Sequence, residues 1–388
     1  MAGGDTGVIA INLHVAYRQT AVELELAEYD SPSLFGRSHP RVNSVYMERR
    51  AFLGTLAAAL PGFGAAGGAR LGIDLFSIRS QGWSPFEYLD YCARWGARVV
   101  HFSEIRFLGG LEPEHLKRVR AHAEKLGIEI ETGMRSICPS SKLFDASQGS
   151  AEDQLNRMVD AARVVGARLI RAFLGSSADR TGPVPLEKHI ENTVKVLRNV
   201  RSKVMDHNLK VAVENHSGDM QARELKMLIE EAGKEFVGAC IDSGNPCWVL
   251  EDPHVTLETL APHVLTAHIR DSYLWNSEEG TMVNWTRMGE GNVDIGGLLQ
   301  KFVTLCPGKT MSLEVIVMGP RAYPWRKPAF WDGYRNVPAW SFSRFVSLAA
   351  NGSPRPAPPK PASKEEALAR EREDFEVSFE WTRKFLNA

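Results

Sequence analysis

Four side chains of types that bind metals or transfer protons stand near the ends of four successive apolar runs: Glu214, Asp242, His268 and Glu314. The runs are LKVAVENH, FVGACIDSG, VLTAHIRDS and KTMSLEVIV, and each is short enough to be a β-strand. If the strands are parallel and form a barrel, their carboxyl ends open on one face and bring these side chains together. The pattern therefore predicts one shared site, and a metal ion is the first hypothesis for it.

Four further strand candidates precede these runs, and segments with helical spacing lie between them. The candidates are RLGIDLFS, RVVHFSE, IEIETGM and RLIRAFLG, which makes eight strands. Regular alternation of strand and helix indicates parallel strands joined by right-handed crossovers. GIDLFSIRSQG, at the first strand, lacks the glycine-rich phosphate loop of an open doubly wound sheet. We therefore predict an α/β fold, a parallel eight-stranded (β/α)8 TIM barrel.

The composition argues against several classes of protein. Charged residues make up 24% of the 388-residue chain and the formal net charge is -1, so no basic field invites nucleic acid. The five cysteines are scattered without a CxxC pair, which argues against a zinc ribbon or a disulfide framework. The expected partner is a small-molecule sugar or cyclitol, without a transmembrane segment, and a homo-oligomer is compatible with the sequence.

Three carboxylates and one imidazole form a mostly oxygen-rich ligand set. Such a set suits one divalent metal ion, with Mn²⁺, Mg²⁺ or Co²⁺ preferred and Zn²⁺ as a further option. A single strand-end glutamate is often a salt-bridge partner, and a single strand histidine is more often a hydrogen-bonded core residue than a ligand. Three acids buried together without a cation would repel each other, so the set as a whole indicates a metal.

The motifs around these residues resemble those of the xylose-isomerase-like barrel superfamily. They are VENH at 213–216, IDSGNP at 241–246, AHIRD at 267–271, LE at 313–314 and GEGNVD at 289–294. The superfamily includes sugar isomerases and epimerases, inosose dehydratases and hydroxypyruvate isomerases. The resemblance, from about Arg70 to Val317, implies that the four side chains named first are metal ligands. It also implies that Glu214 and Glu314 are the acid/base pair on opposite faces of the substrate.

The expected reaction begins with removal of a proton from the carbon next to a carbonyl. A divalent cation on two adjacent sugar oxygens eases this step and stabilises the enediolate. Glu214 and Glu314 could return the proton to the other face or to the neighbouring carbon, which gives epimerisation or isomerisation. Loss of a β hydroxyl would instead make the enzyme a dehydratase or lyase on a keto-sugar or inosose. A non-catalytic metal- or sugar-binding envelope protein is the alternative of another class.

Further polar residues near the strand ends are candidates for substrate contacts. Asn245 stands three residues after the strand-six aspartate, where several members of the superfamily carry a histidine. An amide can hydrogen-bond a hydroxyl but cannot shuttle a proton. His216 could replace that imidazole or be a loop residue at the rim.

Arginines and one more glutamate complete this set. Arg79, Glu104 and Arg171 could each contact substrate or form a salt bridge at the rim. Arg270, a further candidate for substrate contact, and Asp271 directly follow His268, and we expect both to orient the ligands.

The first 69 residues precede the predicted barrel domain. Arg49-Arg50 followed by Phe52-Leu53, a weakly apolar stretch and a small-residue end resembles a twin-arginine export signal over residues 47–69. Residues 1–46 would then be an extension of uncertain role, or would not be translated if synthesis starts at Met47. A functional signal predicts a periplasmic enzyme, and a chance Arg-Arg pair predicts a cytoplasmic one.

The predicted barrel domain covers residues 70–388 and contains an aromatic-rich insertion over 318–363. The insertion could wall a sugar pocket, cover a subunit contact or pack against the barrel rim. It ends in the proline-rich NGSPRPAPPKPAS, which cannot form a helix interior. The segment after it reads as the last barrel helix, with Phe375, Phe379 and Trp381 facing inward.

Overall fold

A closed barrel of eight parallel strands forms the centre of the computed structural model, which describes residues 70–387. The strands of the chain are β1 (Arg70–Asp74), β2 (Val99–Phe102), β3 (Glu129–Ser136), β4 (Leu169–Phe173), β5 (Lys210–Glu214), β6 (Val237–Asp242), β7 (Val264–Ile269), β8 (Asp271–Asn276), β9 (Thr281–Thr286), β10 (Thr310–Leu313) and β11 (Arg321–Tyr323). Around the barrel they follow the order β1-β10-β7-β6-β5-β4-β3-β2. The predicted TIM barrel is confirmed.

Helices return the chain between the barrel strands. They are α1 (Pro85–Arg94), α2 (Pro113–Leu126), α3 (Ala151–Val165), α4 (Ser177–Arg180), α5 (Leu186–Asp206), α6 (Ala222–Ala232), α7 (Pro253–Leu260), α8 (Ile295–Leu305), α9 (Ala339–Leu348) and α10 (Lys364–Leu386). The Ser84 side chain caps α1 in a capping box with Glu87, and Ser150 caps α3. Both α2 and α3 end at a left-handed glycine, which satisfies carbonyls that the last turn leaves free.

A second, three-stranded sheet stands beside the barrel and was not predicted. Strands β8 and β9 form an antiparallel hairpin directly after β7, and β11 pairs with β9. The run that we read as one strand through Ser272 therefore ends at Ile269, and a new strand begins at Asp271. Two short runs with aromatic and β-branched residues, DSYLWN and TMVNWT, on either side of SEEG were a usable signal for this hairpin.

The aromatic insertion packs mainly against this sheet and the barrel rim. Tyr323, Tyr334 and Phe345 are buried in a hydrophobic cluster that includes residues 247–250, which follow β6. Met318 contacts the cavity described below. Packing at the rim thus accounts for most of the insertion, and its first residue also contributes to a pocket wall.

The last helix, α10, completes the outer ring of helices as predicted. Phe375 is fully buried, with its ring 6.0 Å from that of Tyr91 and 6.2 Å from that of Trp95, both from the first helical segment. Phe379 packs beside it, while Trp381 is only half-buried. The chain end is thereby tied to the beginning of the barrel.

None of the helices in residues 70–387 is both long and apolar enough to cross a membrane. The predicted extension and export signal lie outside the described residues.

Candidate metal centre and active site

The four predicted ligands converge at the carboxyl end of the barrel. One donor atom from each of Glu214, Asp242, His268 and Glu314 lies within 4.8 Å of the others, and all four side chains are buried. His268 Nδ1 is 2.8 Å from Glu314 Oε2 and 3.2 Å from Glu214 Oε2. The strand-end pattern in the sequence therefore located a real cluster of ligand-type groups.

Strand register explains why residues far apart in sequence meet here. Asp242 lies beside His268 across β6 and β7, and Glu214 lies beside Cys240, two residues earlier on β6. Successive side chains of a strand alternate between its two faces, so residues two apart share a face. Glu214 and Asp242 consequently both point into the barrel mouth.

A hydrogen-bond chain fixes the proton positions of His268. The His101 Nε2 lies 3.2 Å from the carbonyl oxygen of Thr132, which can only accept, so this nitrogen carries the proton. His101 Nδ1 is then an acceptor, and His268 Nε2 donates to it over 2.9 Å. Asp74 Oδ2 lies 3.0 Å from the same His268 nitrogen. In neutral His268, Nδ1 is therefore left with a lone pair directed at the carboxylates.

This arrangement fits a cation. His268 Nδ1 and Glu314 Oε2 are both buried and have no hydrogen-bond partner, although they are only 2.8 Å apart. Two lone-pair atoms in such contact repel each other unless a positive charge lies between them. Glu214, His268 and Glu314 would hold a divalent ion, and Asp242 lies within reach.

A proton would compete with a metal for this position. Burial opposes a positive charge on His268, but Cys240 and the carboxylates of Asp74 and Glu214 raise its pKa well above the usual range. Metal binding requires the imidazole to be free of its second proton, so the affinity for a metal is expected to fall as the pH is lowered.

Two buried arginines bind the ligand carboxylates from behind. Arg171 Nε donates to Glu214 Oε2, and Arg270 Nη2 lies 2.6 Å from Asp242 Oδ2 and 2.8 Å from Glu314 Oε1. Burial by itself raises the pKa of Glu214, but Arg171 and His268 hold it well below its usual range. Burial is likewise outweighed at Glu314, where Arg270 and His268 lower the pKa. Both glutamates are therefore ionised at neutral pH and able to accept a proton.

Asp242 is the most heavily hydrogen-bonded of the four. Its Oδ1 accepts from the backbone N–H groups of Gly244 and Asn245, each over 2.7 Å, and its Oδ2 accepts from Arg270 Nε over 2.7 Å. In this conformation Asp242 has fewer free lone pairs to offer a metal ion than Glu214, His268 or Glu314.

A cavity of about 370 Å³ opens in front of Glu314. Most of the predicted substrate-contact residues line it: Arg79, Glu104, Arg171, His216 and Arg270. Arg79 lies 3.6 Å from Glu371, and Glu104 is paired with Arg106, so both are partly engaged at the rim.

Asn245 and His216 each donate a hydrogen bond to a backbone carbonyl group. Asn245 is not among the lining residues, and its amide nitrogen donates to the carbonyl of Asn215 over 2.9 Å. His216 Nδ1 donates to the Gly175 carbonyl over 2.7 Å, and its ring stacks on Phe173 at 3.8 Å. Burial lowers the pKa of His216 to about 4, so its ring is neutral at pH 7 and Nε2 is an acceptor.

Sequence reasoning missed two groups of site residues. Asp74 and His101 stand at the ends of β1 and β2, so the rule that found the four ligands could have found them. Trp248 and Trp285 line the cavity from the loop after β6 and from β9, and nothing in their spacing indicated this.

Asp271 has a different role from the expected orientation of ligands. Its carboxylate accepts hydrogen bonds from the backbone N–H groups of Gly289 and Gly291, over 3.0 and 2.9 Å. A Cβ at position 291 would lie 2.0 Å from Asp271 Oδ1, so only glycine fits there. Asp271 thus shapes the GEGNVD loop before α8.

Comparison with known proteins places the chain among barrels of this kind. It is 27% identical over 216 residues to 3-oxo-isoapionate decarboxylase from Pectobacterium atrosepticum, an alignment that covers 55% of this chain and 70% of that protein. A solved D-psicose 3-epimerase superposes over 82% of this chain and 100% of its own, with a TM-score of 0.53 and 14% identity. The solved 3-keto-D-glucoside 4-epimerase YcjR from Escherichia coli superposes over 72% of this chain and 98% of its own, with a TM-score of 0.50 and 13% identity.

These structural likenesses establish the fold. The family model described as xylose isomerase-like TIM barrel matches residues 89–331. The chain therefore belongs to the xylose isomerase-like TIM barrel family.

Proposed function

We propose that this protein is a divalent-metal-dependent sugar isomerase or epimerase that moves a proton next to a carbonyl group. The observation that carries the proposal is the pair of buried carboxylates, Glu214 and Glu314, which lie 3.2 and 2.8 Å from His268 Nδ1. The solved epimerases have the same fold, which fits this proposal without deciding the reaction.

The ligand residues would perform the chemistry as follows. A bound divalent ion would polarise the substrate carbonyl and lower the pKa of the neighbouring C–H. One of Glu214 and Glu314 removes the proton, and the other returns it to the opposite face or to the adjacent carbon. Both carboxylates need to remain ionised in the resting enzyme, and the arginine behind each of them keeps them so.

The remaining cavity residues would bind and orient the sugar. His216 Nε2 is a neutral acceptor for a substrate hydroxyl, because its other ring nitrogen is held by Gly175. Arg79 and Glu104 lie at the rim, where they can hydrogen-bond hydroxyls further from the reacting carbon. Residues at the rim would thus bind the sugar, and the glutamates in the barrel mouth would transfer the proton.

Hydrogen exchange into a panel of candidate substrates tests the proposal. Purified protein with Mn²⁺ would be incubated in D₂O with keto sugars and cyclitols, and deuterium incorporation followed by NMR. We expect incorporation at a carbon next to the carbonyl, lost on chelation and reduced at least about 100-fold in Glu214→Gln and Glu314→Gln. Exchange that survives either substitution would refute the assigned acid/base pair.

A lyase reaction, namely decarboxylation of an oxo-sugar acid, is the second candidate. It is supported by the decarboxylase relative. The cavity is also lined by Arg79 and Arg135, which do not pair with the ligand carboxylates, and guanidinium groups are well suited to bind a carboxylate. Loss of CO₂ from such an acid would leave a carbanion next to the carbonyl, the same type of species that loss of a proton leaves in the isomerase reaction.

Product analysis separates the two candidates. Oxo-aldonates with the oxo group β to the carboxylate would be incubated with the enzyme, and CO₂ release measured. Release dependent on metal, with no deuterium exchange into neutral keto sugars, would favour the lyase. Exchange into keto sugars without CO₂ release would favour the isomerase or epimerase.

A further inference from the structure

Two arginines and two tryptophans form a row beside the ligand cluster. The Arg270 guanidinium carbon lies 4.2 Å from the ring centroid of Trp285. Trp285 and Trp248 are parallel within 6°, with centroids 4.1 Å apart. The Arg321 guanidinium carbon lies 4.5 Å from the Trp248 ring and ends the stack. We call this row, Arg270-Trp285-Trp248-Arg321, the stack.

The stack joins the insertion to the ligands. Arg321 belongs to β11 of the insertion, Trp248 to the loop after β6, and Trp285 to β9. Arg270, at the other end, binds Asp242 Oδ2 and Glu314 Oε1 through its edge. The stack therefore forms a continuous row of contacts from the outer sheet to the arginine that binds two ligand carboxylates.

No face of either tryptophan is left for a sugar ring. Each indole has the other indole on one face and an arginine on the opposite face. Both rings are more than 90% buried, so only edges reach the cavity. A role as a stacking platform for substrate, common for aromatic residues in sugar sites, does not fit these two residues.

Other contacts hold the inner end of the stack in place. The Trp285 Nε1 donates to the Gly244 carbonyl over 3.2 Å. A Cβ at Gly244 would lie 2.6 Å from the Arg270 side chain and 2.9 Å from Trp285 Nε1, so glycine is needed for this approach. Arg270 is thereby confined between the Trp285 face and the backbone of the loop that carries Asp242.

We propose that Trp285 is a positioning residue for the metal centre: by fixing the plane of Arg270 it fixes the orientation of Asp242 and Glu314. Arg270 presents two N–H groups to these carboxylates, and a guanidinium that rotates would turn them with it. The proposal requires the ligand set but not the particular reaction.

Trp285→Leu keeps the positive charge of Arg270 but lets the guanidinium move, so Asp242 and Glu314 lose their preset orientation and metal binding weakens. Substitution of a residue that merely fills space in the aromatic cluster would leave the metal affinity unchanged.

Mn²⁺ titration of the full-length protein by calorimetry tests this. We expect about tenfold weaker Mn²⁺ binding for Trp285→Leu, the size of one buried cation–π contact. Trp285→Phe, which keeps a ring under Arg270, is expected to recover most of the affinity. The matched control is Trp331→Leu, which removes an indole from the same aromatic cluster but not from the stack. Its Mn²⁺ affinity is expected to equal that of wild type.

A second variant tests the stack from its other end. If Trp285→Leu does not fold, Arg321→Gln weakens the far end of the stack, and about threefold weaker Mn²⁺ binding is expected.

The outcomes that overturn the proposal are distinct from failure of the proposed reaction. Equal Mn²⁺ affinities for Trp285→Leu and Trp331→Leu, or no effect of Arg321→Gln where Trp285→Leu is unfolded, would refute the positioning role and leave the proton-transfer proposal intact. Wild-type protein that binds no Mn²⁺ would refute both. Weakened Mn²⁺ binding without any sugar exchange would support the positioning role alone.

Discussion

At the scale of single residues, the site depends on where protons lie. His268 can offer Nδ1 to a cation because its Nε2 proton is taken by His101 Nδ1 at 2.9 Å, with Asp74 Oδ2 3.0 Å away as a second acceptor. His101 can do so because its own Nε2 proton is committed to Thr132. Partners of this kind fix the tautomer of a ligand histidine and raise its basicity.

We therefore expect His101→Phe to weaken metal binding, although residue 101 is not a ligand. With Asp74 as its one remaining acceptor, His268 is held less firmly in this tautomer and orientation, and affinity for Mn²⁺ should fall about 10-fold. Competition with a chelating dye measures the change. His122→Phe, a histidine paired with Asp90 away from the site, is the control. Equal affinities for the two variants would contradict the tautomer argument.

The buried carboxyl of Glu251 predicts a pH-dependent stability. Burial raises its pKa to about 7, although it accepts hydrogen bonds from Thr256 and the Ala222 N–H. Between about pH 4.5 and 7 the unfolded chain loses this proton while the folded protein keeps it, so stability falls as the pH rises through this window. The glutamine of Glu251→Gln cannot titrate, so this contribution to the fall in stability is absent from the variant.

The expected gain for Glu251→Gln is near zero below pH 4.5 and at most about 3 kcal/mol at pH 8. Urea unfolding at several pH values measures it. Glu278→Gln, at an exposed glutamate in the turn between β8 and β9, is expected to show no such trend. A gain that is independent of pH would exclude titration of Glu251 as its cause.

The sequence predicted residues of the site wherever a single rule applied. Glu214, Asp242, His268 and Glu314 follow from strand ends alone, and Asp74 would have followed from the same rule. The inward turn of the Asn245 amide and the pairing of Arg270 with two carboxylates depend on three-dimensional contacts. No pattern along one strand contains that information.

At the scale of elements, the loops of the barrel mouth are shaped by glycine. The loop before α8 closes on Asp271, and a Cβ at Gly291 would also lie 2.3 Å from the Ser272 carbonyl oxygen. The GEGNVD motif lies directly before α8, and the hairpin between β7 and that loop was not predicted. The hairpin strands are also almost entirely buried, but their sequences, DSYLWN and TMVNWT, mix polar and apolar residues, unlike the more continuous apolar runs of most barrel strands.

Gly291→Ala is expected to destabilise the protein by about 1–3 kcal/mol, because the loop has to move away from Asp271. Thermal or urea unfolding measures this loss. Gly308→Ala tests backbone strain alone, since a Cβ there meets nothing within 4 Å and only the positive φ is unfavourable. An equal or smaller loss for Gly291→Ala would mean that the loop accommodates a side chain.

At the scale of the whole molecule, the last helix, α10, completes the ring of helices around the barrel although a long insertion separates it from the last barrel strand. The sequence predicted α10 from its inward aromatic residues. The alternation of strands and helices around a closed barrel also predicts that the last helix lies beside α1. Residues 1–69 lie outside the described part of the chain. The export signal and the periplasmic location accordingly stay predictions from Arg49 and Arg50.

If α10 is part of one cooperative unit, Phe375→Ala should destabilise the entire barrel by about 3–5 kcal/mol, the usual cost of removing a buried phenylalanine. Urea unfolding followed by far-ultraviolet circular dichroism measures it. Val377→Ala, at a 42% exposed position of the same helix, should have little effect. Similar values for the two variants would indicate that α10 detaches without unfolding the barrel.

The central claim is that Glu214, His268 and Glu314 hold a divalent metal within reach of Asp242. Elemental analysis of purified, metal-replete protein tests it most directly, with wild type compared with His268→Gln and Glu314→Gln. The predicted result is one Mn²⁺, Mg²⁺, Co²⁺ or Zn²⁺ per chain in wild type, largely lost in both variants while they remain folded. Wild-type protein without stoichiometric metal, or variants that retain it fully, would contradict the account.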